Sequence, residues 1–151
     1  MKIRADLTEK GASVTCAIAI PEKGISPKPI NFLLDTGAAM TMLSEVEAIK
    51  LGIDYLSLPK SNKPIISMGG VVESHILDNV IFIIPTESGT QDFDLETVLI
   101  SRFPKRKSTK RGTKDEIRLK ALPNLFGRDF FKKYKMKIVV DFDKDEAYLE
   151  F

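Results

Sequence analysis

The chain of 151 residues is 43% hydrophobic, enough for one ordinary globular domain whose core needs no covalent staples. A single cysteine, Cys16, excludes an internal disulfide, and a single histidine, His75, leaves no His/Cys cluster for zinc or another transition metal, so neither a metal nor any other cofactor is expected. A net charge of +2 does not by itself indicate a nucleic-acid partner, no apolar run reaches the ~20 residues of a bilayer span, and "MKIRADLTEKG" lacks the apolar core of a secretory signal, which together favour a cytoplasmic protein.

Short apolar and β-branched runs dominate the chain: "SVTCAIAI" (13–20), "INFLLD" (30–35), "PIISM" (64–68), "HILDNVIFII" (75–84), "ETVLI" (96–100), "KIVVDF" (137–142) and "AYLEF" (147–151). They read as strands. Between them stand the turn signals "PEKG", "SPKP", "TESGT" and "DKDE", and the spacing predicts a mostly β fold with one or two short helices. The first helix is expected near residues 44–51, where Ser44 and Glu47 form a capping box, Val46, Ile49 and Ala48 make the apolar face, and Gly52 marks the stop. The second is a short one in "GRDFFKKYK", with Phe130, Phe131 and Tyr134 at helical spacing.

The segment 101–120 carries nine Lys or Arg against two acidic residues. It reads as a basic insertion in a single domain, solvated rather than packed, with a substrate-facing or nucleic-acid-touching role as the competing view. Phe103 is its one aromatic, which weakens the nucleic-acid version.

Phe32, Leu33 and Leu34 run straight into Asp35, followed by Thr36, Gly37 and Ala38. Ending a buried strand on a carboxylate is costly unless hydrogen bonds and a second ionisable group share the burden. A glycine after the threonine lets the backbone turn and lets a ligand approach. "LLDTGA" resembles the active-site signature of the retropepsin-like aspartic proteases, the single-domain relatives of pepsin. Two further elements fall in the family's order. Ser67, Met68, Gly69 and Gly70 resemble the tip of the flap that closes over substrate, and Leu125, Phe126 and Gly127 followed by Arg128 resemble the second glycine element and its helix. The resemblance implies a closed β-barrel of the acid-protease fold, working as a homodimer.

The family's chemistry takes two carboxylates across one water. Asp78, Asp129 and Asp141 are not followed by Thr-Gly or Ser-Gly, so the partner of Asp35 is expected from a second copy at a two-fold interface. In that arrangement Asp35 is the catalytic group, Thr36 holds its mate's threonine, and Gly37 offers backbone groups to the carboxylate and the peptide. Ala38 stands where related two-domain enzymes often carry a hydroxyl, which implies a mildly acidic pH optimum. The substrate would be an extended peptide or protein segment, and Met42, Met68 and Val71 suggest apolar side chains around the cut.

The chain also departs from the viral pattern. Ala39 replaces an acid that usually pairs with the arginine corresponding to Arg128, leaving Arg128 to find another partner, a carbonyl or solvent. The terminal hairpin "KIVVDFDKDEAYLEF" offers its last strand for edge pairing between subunits. His75 reads as a surface residue at the base of the flap and Cys16 as a small buried side chain. The alternative function is a non-catalytic dimerisation or peptide-binding module of the same fold.

Overall fold

The computed structural model describes residues 1–63, 65–67, 70–102 and 122–151. Beyond Ser101 and Arg102, the basic insertion lies outside them. Ten strands follow in chain order: β1 (Lys2–Thr8), β2 (Gly11–Ile20), β3 (Ile25–Leu34), β4 (Met42–Ser44), β5 (Ile65–Ser67), β6 (Gly70–Thr86), β7 (Gly89–Arg102), β8 (Leu125–Phe126), β9 (Lys137–Asp141) and β10 (Glu146–Glu150). Among the described residues the two short α-helices are α1 (Glu45–Lys50) and α2 (Arg128–Lys133). The strands join in one sheet in the order β5-β6-β7-β4-β8-β3-β2-β1-β10-β9. An additional pairing of β6 with β2, through Ala17↔Ile83 to Ala19↔Ile81, closes the middle six strands on themselves. The expected mostly β, closed-barrel architecture is what the described residues form.

The barrel is filled by period-2 alternation and by aromatic rings. Phe32 stacks on Phe126 at 4.5 Å between centroids, Phe126 stacks on Phe130 at 4.2 Å, and Phe82 meets Phe126 edge-on at 5.1 Å. All four are fully buried. Such pairs add about 0.5–1.5 kcal/mol each beyond their burial. This stack ties the strand before Asp35, the strand before Gly127 and α2 into one rigid block. Cys16 is buried in β2, as expected, and burial pushes its thiol up to about 12.

Several elements differ from the sequence reading. β1 was not expected, yet its residues alternate strictly, with Ile3 and Ala5 buried between exposed Lys2, Arg4 and Asp6. "SPKP" is strand rather than turn: β3 pairs with β2 as far back as Ile20↔Ile25, while β8 covers it only at Leu33 and Leu34. Pro27 and Pro29 therefore lie on a half-strand whose other edge is open among the described residues, where a missing N–H costs no ladder bond.

In α1 the Ser44 hydroxyl accepts from the Glu47 N–H at 3.3 Å, but the reciprocal half of the capping box is replaced. The Ser44 N–H donates to Asn124 Oδ1 at 2.9 Å, and Glu47 instead holds Lys50 at 3.3 Å. The inward face of α1 is Glu45 and Ala48 rather than Val46 and Ile49, the latter 60% exposed, because the Tyr55 hydroxyl reaches the Glu45 carboxylate and draws it inside. Gly52, at φ 77°, supplies the left-handed stop.

His75 is buried, not on the surface: its Nδ1 meets the Leu58 carbonyl at 3.0 Å and its ring packs edge-on against Tyr55 at 5.5 Å. β10 is not a free edge. It pairs with β1 on one side (Lys2↔Glu150) and β9 on the other (Glu146↔Asp141), so among the described residues β9 is the strand at this end of the sheet. No helix among the described residues is long and apolar enough to cross a membrane.

Candidate active site

The site grows from a crossing of backbones. β3 and β4 are joined by residues 35–41, and β8 runs between them, parallel to β3 (Leu33↔Leu125, Leu34↔Phe126) and antiparallel to β4 (Met42↔Leu125). The Leu33 N–H donates to the Asn124 carbonyl at 2.8 Å and the Asp35 N–H to the Phe126 carbonyl at 3.0 Å. Buried Asn124 completes the brace: its Nδ2 donates to the Asn31 carbonyl at 3.1 Å and its Oδ1 accepts from Ser44.

Asp35 emerges half-buried from the end of this ladder. The Gly37 N–H donates to Asp35 Oδ1 at 2.8 Å, and a Cβ on Gly37 would stand 3.0 Å from that oxygen. The Ala38 N–H donates to the Asp35 carbonyl at 3.3 Å, closing a tight turn. One carboxylate oxygen is thus oriented by a backbone amide. Among the described residues the other oxygen takes no hydrogen bond. Thr36 and Gly37 are exposed beside it.

The loop then lies across Gly127 and α2. A Cβ on Gly127 would fall 2.5 Å from the Met40 carbonyl carbon and 2.6 Å from its oxygen, a contact no side chain can occupy. The first N–H groups of α2 have no partner within the helix and are satisfied by the loop: Arg128 N–H donates to the Ala38 carbonyl at 2.9 Å and Asp129 N–H to the Ala39 carbonyl at 3.2 Å. Arg128 itself is exposed, and its Nη1 donates to the Thr36 carbonyl at 3.4 Å. Of the alternatives open from the sequence, a carbonyl of its own chain is the one found.

Two further residues hold the loop and were not singled out in the sequence. The Thr41 hydroxyl donates to Asp129 Oδ1 at 2.8 Å and accepts from the Gly127 N–H at 3.1 Å. Asp129 Oδ1 also accepts from the Phe130 N–H at 2.8 Å. Their only local signal is a hydroxyl between two methionines and an acid directly after Gly-Arg.

Asp35, Thr36, Gly37, Ala38, Leu125, Phe126, Gly127 and Arg128 therefore lie together at this crossing of backbones. In the segment expected to form a flap, Ser67 pairs with Gly70 and Ile65 with Val72 across β5 and β6, while Met68 and Gly69 lie outside the described residues. The hairpin is anchored below by residues 59–61, where the Ser61 N–H donates to the Ser74 carbonyl at 2.9 Å and the Ile76 N–H to the Pro59 carbonyl at 2.8 Å. Met42 is not a free neighbour of the site: it is buried on β4 between β7 and β8, whereas Val71 is 54% exposed on the hairpin.

No protein-family model and no curated protein matches the chain. Among solved structures, it is similar to a retropepsin-like aspartic protease from Rickettsia conorii, at 19% identity over 98% of each chain with a TM-score of 0.58. That likeness, at so low an identity, is one of fold: the chain has the retropepsin-like fold.

Proposed function

We propose that the protein is a homodimeric aspartic endopeptidase whose reacting groups are two Asp35 carboxylates, one from each subunit. The observation that carries this reading is the setting of Asp35: a half-buried carboxylate, one oxygen held by the Gly37 amide at 2.8 Å, on a loop locked against Gly127 and α2. The retropepsin-like fold supports it.

In this mechanism the ionised carboxylate takes a proton from the water between the pair as the water oxygen bonds to the scissile carbonyl carbon. The other, protonated, carboxyl donates to the carbonyl oxygen, giving a neutral tetrahedral diol. Collapse of the diol breaks the C–N bond as a proton passes to the leaving nitrogen, and the pair returns to its shared-proton state. The substrate is an extended peptide, bound by strand-like hydrogen bonds beneath the β5–β6 hairpin. Exposed Val71 on that hairpin supports a preference for apolar side chains near the cut.

The test is cleavage of denatured casein from acidic to neutral pH by the wild type and by Asp35→Asn, with products identified by mass spectrometry. Cleavage that disappears with the single substitution is the expected result. No cleavage by a folded dimer would move the protein to the peptide-binding or dimerisation reading, and cleavage unchanged by the substitution would remove Asp35 from the chemistry.

A further inference from the structure

The homodimer required by the reading above needs a surface that brings two Asp35 loops together, and the structure offers one whose chemistry is self-complementary. β9 ends the sheet on the side opposite β5, with no pairing partner on its far side among the described residues. Its core-facing row is apolar and runs off the edge of its own core. Ile138 packs against the core, Val140 is 37% exposed, and Phe142, two positions on, is 81% exposed, more than any other large apolar residue described. A row of this kind on an open edge is a liability unless something covers it.

The same surface reaches the Asp35 loop. A recess of about 560 Å³ is lined by Thr36, Phe131, Met136 and Ile138, with Arg128 and Lys132 among its basic residues. One two-fold axis must relate both the loops and whatever strands pair, so the loop and the paired edge have to share a face. Thr36 and Ile138 do.

We infer that β9 pairs antiparallel with β9 of a second copy about a two-fold axis at Val139, and that Phe142 of each copy enters the recess of the other. This register alone pairs all five residues of β9, and it keeps like faces together as antiparallel pairing requires. Ile138 then meets the partner's Val140. Lys137 meets the partner's Asp141, joining opposite charges at both ends of the ladder. One step beyond, Phe142 falls beside the partner's Met136, and the acidic turn carrying Asp143 and Asp145 faces the Lys132 and Lys135 side of the recess. Each copy contributes three strands, β1, β10 and β9, to a continuous six-stranded sheet. A second copy explains at once the uncovered edge, the exposed phenylalanine and the basic recess.

The test combines sedimentation of the full chain with cross-linking and the casein assay. The wild type is expected to sediment as a dimer, and Phe142→Asp, at an exposed position, to weaken dimerisation on the order of 30-fold or more, the loss expected of a central aromatic anchor. Val139→Cys should form an intersubunit disulfide under mild oxidation and Val140→Cys should not, since only residue 139 faces its own mate at Cα separations within disulfide range. Cys16, buried at 2% exposure, does not compete. A dimer of unchanged affinity in Phe142→Asp, with no Val139→Cys disulfide, overturns the interface, and Asp35-dependent cleavage by that dimer would leave the protease reading standing. The reverse result, cross-linking through residue 139 without Asp35-dependent cleavage, upholds the interface and sinks the protease.

Discussion

Thr41 and Asp129, 88 residues apart in the chain, meet at 2.8 Å beneath the Asp35 loop, and the same threonine oxygen accepts from the Gly127 amide. Thr41 is fully buried, so water cannot replace either bond. Thr41→Val keeps the shape and removes the hydroxyl, leaving the Gly127 amide without an acceptor and Asp129 Oδ1 with the Phe130 N–H as its remaining donor. The expected cost is about 2–4 kcal/mol in urea unfolding, against about 1 kcal/mol for Thr41→Ser, which keeps the hydroxyl. A Thr41→Val variant as stable as the wild type would show that the loop is held elsewhere.

Gly127 has a different reason to be what it is. Its φ is unremarkable for any residue, but a methyl group there would press on the Met40 carbonyl carbon at 2.5 Å, and that backbone is pinned by the Arg128 and Asp129 amides. Gly127→Ala must therefore push the loop away from β8 rather than rotate a side chain aside. The expectation is a loss of about 3 kcal/mol or more, or no soluble folded protein, read by unfolding and by circular dichroism. Gly24→Ala is the contrast, with open space around the Cβ and only backbone strain at φ 66°, and should cost about 1 kcal/mol.

How much of this was legible in the sequence depends on the range of the interaction. The helix at 45–50 and its Gly52 stop are written in neighbouring residues, and the Asp35 loop is written in a short motif with no alternative in the chain. What escaped is long-range or one-sided. β1 carries only three apolar residues, alternating with charges. The prolines of β3 look like turn residues until its open side is known. Burial of His75 depends on a packing partner, Tyr55, twenty residues away, and the Thr41–Asp129 contact exists only because β8 passes between the strands that the loop joins. Local chemistry shows where a carboxylate is presented, whereas the residues that fix it are chosen by topology.

The far end of α2 docks onto β7 through a small charged cluster with a readable pH dependence. Lys133 Nζ reaches Asp94 Oδ2 at 2.8 Å and the Asp94 carbonyl at 2.9 Å, and the Tyr134 hydroxyl meets Asp94 Oδ1 at 3.0 Å. Lys133, and then Tyr134, hold the Asp94 carboxyl below the usual carboxylate range, while Asp94 raises Lys133. A depressed carboxyl contributes stability above its unfolded value of about 4 that is lost as pH falls through the lower folded value. A raised amine contributes below its unfolded value of about 10.4 and loses that as pH rises through the folded one. The docking is therefore intact between those limits. Because the cluster is solvent-exposed, Asp94→Asn should cost only about 0.2–1 kcal/mol at pH 7, and the difference should vanish near pH 2. Urea midpoints of both proteins at the two pH values decide it, and a difference that persists in acid would assign the effect to packing.

Ala38 gives the last prediction, which depends on the proposed chemistry. Its amide closes the turn on the Asp35 carbonyl, but its methyl group donates nothing, so within this loop the Gly37 N–H is the donor to the Asp35 carboxylate. Rate requires one of the two carboxylates to be ionised, and the acid limb of the pH–rate profile reports its protonation. A hydroxyl donor favours the ionised form, which moves that limb toward lower pH. The wild type should thus be most active in mild acid, and Ala38→Ser should move its acid limb toward lower pH with little change in the alkaline limb. The check is kcat/KM on a peptide taken from the casein cut sites, measured from strong acid to neutral pH for both proteins. A wild type active only in strong acid, or a serine variant with an unmoved acid limb, would mean that residue 38 does not set the working pH.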